Sequence, residues 1–121
     1  MKLIITFGFI VFDFVTGIVG AFRKKEFTSS VMREGLYHKV GEISLIILAM
    51  LGDFAQQYLN IGTYIKEYIG VELTVPFATA VCIYIIMMEI GSIMENIGKI
   101  NPALIPEKIK PFFHKLKEDD N

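Results

Sequence analysis

The chain has 121 residues, room for one domain, with 53% hydrophobic residues, a mean hydropathy of +0.50 and a formal net charge of -1. The small net charge hides a sorting by position: the apolar stretches 3–22, 40–59 and 73–94 contain Asp13, Glu42, Asp53 and Glu89 but no Lys or Arg, and ten of the 12 basic residues fall in 23–39 and 97–121. A soluble domain scatters both signs over its surface, so this pattern excludes one, and the single Cys82 excludes an intramolecular disulfide and argues against a metal cluster. The expected fold is all-α: an integral membrane protein with three transmembrane helices.

The first span, Leu3–Phe22, rises about 30 Å as a helix, the thickness of a bilayer core. Asp13 at its centre costs about 2.5–3.5 kcal/mol on insertion scales, while thirteen Leu, Ile, Val and Phe residues return about 0.3–0.6 kcal/mol each, so insertion wins by a few kcal/mol. A cleaved signal peptide is the rival reading, opposed by Asp13 within the apolar core and by Arg23-Lys24-Lys25 just after the cleavage-like Gly20-Ala21. The second span, 40–59, is weaker. Its uninterrupted run Ile43–Leu51 is too short to cross alone, with Glu42, Asp53, Gln56 and Gln57 flanking it, so a re-entrant or interfacial helix is the alternative. The third, 73–94, starts with Thr74 as N-cap and Pro76 in the first turn, and leaves the core for the interface over Glu89–Asn96.

Three crossings put both basic segments on the cytosolic side, with the N-terminus outside, the C-terminus inside and 60–72 outside. Arg23, Lys24 and Lys25 are the topology signal. Tyr58, Tyr64 and Tyr68 stand where an aromatic belt is expected. In the tail 97–121, Pro102, Pro106 and Pro111 forbid one long helix, and Phe112, Phe113 and Leu116 among basic residues suit a short interfacial turn.

Helical spacing places Asp13, Thr16, Gly17 and Gly20 on one face of the first span. Glu42, Ala49, Asp53 and Gln56 line one side of the second, and Ala78, Cys82, Ile85, Glu89, Ser92 and Asn96 one side of the third. Three such helices enclose little core, so a homo-oligomer is expected. The packing or pore-facing candidates are Asp13, Thr16, Gly17, Gly20, Asp53, Glu89 and Ser92. Glu42, Asp53 and Glu95 near span ends are most simply wet or snorkelling, whereas Asp13 and Glu89 lie deeper, where an acid is either a helix–helix hydrogen-bonding group or functional. No nucleophile elbow, phosphate loop or paired catalytic motif is present, which predicts no enzyme and no cofactor. His38 and Glu42, four residues apart, are two ligands and do not make a metal site; an interfacial hydrogen bond is the simpler expectation. The basic run beside a span suits anionic lipid rather than nucleic acid.

Asp13-Phe-Val-Thr16-Gly17, then Gly35-Leu-Tyr-His-Lys39 before the second span, then Glu89-Ile-Gly-Ser92-Ile-Met-Glu95-Asn96 ending the third, resemble the motifs of the toxin-secretion/phage-lysis holin family. The resemblance covers residues 3 to about 110, with Asp13, Thr16, Gly17, Gly35, Lys39, Glu89, Ser92, Glu95 and Asn96 at motif positions. It departs at Phe14, where the family more often has Tyr, and at Met88, where Asn is common. The resemblance implies a protein of the bacterial cytoplasmic membrane that accumulates, oligomerises into lesions, collapses the membrane potential and releases an endolysin or an exported toxin. An antiholin or assembly subunit that makes no hole is the alternative.

Overall fold

Helix boundaries follow from capping chemistry and differ from the apolar boundaries of the sequence. The computed structural model describes residues 1–105, so the expectations on Pro106, Pro111, Phe112, Phe113 and Leu116 lie outside the described residues. Four α-helices, α1 (Lys2–Arg23), α2 (Ser29–Tyr58), α3 (Ile61–Ile69) and α4 (Phe77–Ile100), are followed by a 3-10 turn, Pro102–Leu104. Among the described residues there is no strand. The three longer helices are each long and apolar enough to cross a membrane.

α1 ends in a two-bond C-cap. Lys25 adopts φ 59°, Glu26 N donates to Ala21 O at 2.8 Å and Lys25 N to Phe22 O at 3.1 Å. Phe22 and Phe27 stack across the turn with ring centroids 4.3 Å apart. Thr28, in extended conformation, then accepts a hydrogen bond from Val31 N at 3.1 Å and starts α2. α2 thus begins eleven residues before the expected span and runs unbroken for 30 residues, about 45 Å. One continuous helix of that length replaces the re-entrant alternative, and Gly35 and Gly41 inside it cause no break.

The start of α4 departs from expectation. Its N-cap position is Pro76, not Thr74, and its free N–H groups are capped from another helix: Asp53 Oδ1 accepts from Phe77 N at 2.8 Å and Oδ2 from Ala78 N at 3.1 Å. Gln56 completes the clasp, accepting from Val75 N at 2.8 Å and donating to Val75 O at 2.7 Å. Thr74 is spent on packing instead, since its methyl lies 3.0 Å from where a Cβ on Gly62 would stand. Gly52 lets the ring of Phe77 approach so closely that a Cβ there would sit 2.9 Å from Cδ2.

α1 packs along α4, α2 also packs on α4, and α1 and α2 touch little. Ile10, Ile46 and Ile85 form the apolar core, with Leu3, Val81 and Met88 against it. Large apolar side chains cover the outer faces, Phe12, Leu48, Leu51, Phe54 and Ile83 among them, as hydrocarbon surroundings require.

Asp53→Ala removes both acceptors from the start of α4. The expected loss is about 1 kcal/mol, within the range for deleted helix caps, read by equilibrium unfolding in detergent micelles. Asp53→Asn should retain a good part of it.

Candidate functional site

The polar residues of the three long helices meet in one buried cluster. Thr16 sits one turn after Asp13 on α1, Lys39 and Glu42 one turn apart on α2, and Glu89 and Asn96 two turns apart on α4. Lys39 Nζ is the hub. It donates to Asp13 Oδ2 and to both Glu89 oxygens, at 3.0 and 2.8 Å, and lies 3.8 Å from Glu42 Oε1. Asn96 Nδ2 reaches the other side of Asp13, its Oδ1 at 3.0 Å and its carbonyl at 3.2 Å, and also Thr16 Oγ1 at 3.1 Å. Thr16 Oγ1 donates back to Phe12 O at 2.9 Å. Relative exposure is 1% for Glu89, 4% for Glu42, 8% for Lys39 and 9% for Asp13, so the charges interact in a medium far less polar than water.

One expectation from the sequence is corrected here. Glu42 is not a wet interfacial acid: its side chain turns inward, with His38 Nε2 2.7 Å from Oε1. On α4, Glu89 and Asn96 are buried against α1 and α2, and the helix continues to Ile100.

The other motif residues sort by place. A Cβ on Gly17 would stand 3.5 Å from Asn96 Nδ2, and one on Gly20 3.4 Å from the Asn96 carbonyl and from Lys99, so both glycines face α4 at ordinary contact distance. Ser92 and Glu95 are half-buried on α4. Gly35 and Ser92 line a cleft of about 640 Å³ between the second half of α1, the first half of α2 and the end of α4, with Asp13, His38 and Lys39 on its wall. Arg23, Lys24 and Lys25 are exposed at the α1–α2 turn. Asp53 lies outside the cluster, in the clasp at the start of α4. Sequence reasoning placed Lys39 in a motif but missed its role as counter-ion. The signal was available, because extending the α2 stripe back one turn from Glu42 reaches Lys39.

In formal charge the cluster holds three carboxylates, one ammonium and an imidazole, so with neutral His38 it carries two uncompensated negative charges. One donor atom each from His38, Glu42 and Glu89 lies within 4.8 Å of the others, a set able to take a cation.

Lys39→Met strands two buried carboxylates. The expected cost is about 3–5 kcal/mol, the range for removing one partner of a buried ion pair. Adding Asp13→Asn and Glu89→Gln to Lys39→Met should recover most of that loss, because the remaining groups are neutral hydrogen-bonding isosteres. Denaturant titration in mixed micelles measures both.

No curated protein and no solved structure matches the chain. The model of the bacteriophage holin family matches residues 1–118, nearly its whole length. With three helices able to cross a bilayer, the match makes this a multi-pass protein of the cytoplasmic membrane. The chain belongs to the bacteriophage holin family.

Proposed function

We propose that this chain is the hole-forming holin of a lysis or toxin-export system and that its buried ion cluster sets the resting state. The orientation is N-terminus outside and C-terminus in the cytosol, which places both basic segments, 23–39 and 97–121, on the cytosolic side. The observation that carries the reading is the cluster itself: an ammonium and three carboxylates buried where three membrane helices meet over a very small apolar core. Such a bundle keeps its charged groups against one another while single, and presents them to any water that enters between helices.

In dense rafts of chains the same polar faces can line an aqueous lesion, where ionised carboxylates no longer carry a desolvation cost. The membrane potential supplies about 2.3 kcal/mol per elementary charge per 100 mV to bias that exchange. Gly17 and Gly20 support it from the packing side, since small residues on a span face favour contact with another helix, within the chain or in a second copy. The partners are then other copies of the chain, the lipid bilayer and a cytosolic endolysin or exported toxin released through the lesion.

The test is inducible expression in a bacterial host, following membrane potential and culture density with and without a cytosolic endolysin. Abrupt depolarisation after a lag, with lysis only when endolysin is present, is the expected outcome. Stable membrane accumulation with the potential intact would instead favour an antiholin or assembly subunit. Asp13→Asn and Glu89→Gln, each removing one ion pair to Lys39, should advance the onset of depolarisation. Unchanged timing in both would make these acids structural only.

A further inference from the structure

We infer that His38, Glu42 and Glu89 form a binding site for one divalent transition-metal ion of the Zn²⁺ type, joining α2 to α4. The donors come from two rigid helices. His38 and Glu42 are one turn apart on α2, Glu89 faces them from α4, and one ligand atom from each lies within 4.8 Å of the others. Imidazole nitrogen with carboxylate oxygens is a donor set zinc accepts, at about 2.0–2.2 Å each, so the three atoms need to settle about 3.3 Å apart. Binding therefore requires Glu89 to turn from Lys39 toward the other two donors.

Two features of the cluster favour a bound cation. Glu42 has a side chain only 3% exposed, and neither of its carboxylate oxygens accepts a hydrogen bond within the described residues, although His38 Nε2 lies 2.7 Å from Oε1. The second is charge. Lys39 balances one of the three acids, which leaves two negative charges to be met in a low-dielectric setting. A divalent ion closes that count with His38 neutral. Lys39 then stays on Asp13 as a neutral pair, and the metal with Glu42 and Glu89 forms a second neutral unit. His38, 37% exposed in its side chain, stands on the wall of the open cleft and gives the ion a route in. The fourth position is left for water. The site stands on these residues alone and does not depend on whether the chain opens holes.

The test uses the full chain in detergent micelles, stripped with chelator and titrated with Zn²⁺ by calorimetry, with Co²⁺ as the spectroscopic probe. One equivalent of Zn²⁺ per chain is expected, together with visible Co²⁺ absorption bands of a four-coordinate nitrogen–oxygen site. His38→Ala, at the half-exposed ligand, should weaken binding at least about tenfold while circular dichroism stays helical, and Glu42→Gln should do the same. Lys39→Met, which removes the ammonium competing for Glu89, should bind Zn²⁺ more tightly than the parent chain. Absence of saturable binding, with the cluster neutralised by protons instead, overturns the inference. So does binding that survives both His38→Ala and Glu42→Gln, because the ion would then sit elsewhere, as on His114.

Discussion

An ammonium held between carboxylates of two other helices is the interaction on which the remaining structure depends. An unpaired charge in the bundle interior carries a large desolvation cost, so the three helices bring Lys39, Asp13 and Glu89 to the same place. Buried ion pairs add little net stability over an apolar filling of the same volume, and their best-attested use is to fix register. That suits a protein whose apolar core is three isoleucines and their neighbours, and whose outer faces meet a solvent as apolar as the core. Packing alone would leave the helices free to slide and rotate. The Lys39 pairs favour the arrangement in which all three charged faces meet.

Asn96 and the two glycines extend the specification to α1. The amide reaches both Asp13 and Thr16, with Gly17 and Gly20 facing Asn96 and its backbone. Hydrogen-bonding groups and small residues thus carry the α1–α4 contact, in keeping with association in lipid, where no hydrophobic gain separates helix from helix. The open cleft between α1 and α2 is the counterpart of that arrangement, since these two helices meet mainly through the Lys39–Asp13 pair while both pack on α4.

How far the sequence revealed this depends on the scale of the signal. Spans could be found because bilayer thickness sets a length and charge sorting sets an edge; α1 matches its expected stretch to within a residue at each end. Faces could be found because helical spacing is local. Lys39 was harder: it lies one residue before an apolar stretch, and a reading by segments assigns such a lysine to the water side, whereas Thr28 had already committed the backbone to helix well upstream. Glu42 was misplaced for the same reason. Asp53 could not have been assigned by pattern at all, since capping the start of α4 from α2 depends on which ends of two helices meet in space. Thr74 satisfied the local rule for an N-cap and lost to that tertiary contact.

The clasp at Asp53 and Gln56 and the ion cluster at Lys39 hold α2 and α4 together at two separated points. Along α2 they are about 21 Å apart and along α4, from Phe77 to Glu89, about 18 Å, so the two helices carry matched rulers. A slip of one helical turn, about 5.4 Å, would break both fastenings together and remake neither. Graded sliding is therefore closed to this pair: α2 and α4 travel as one antiparallel hairpin or come fully apart, and any rearrangement of the bundle inherits that all-or-none character.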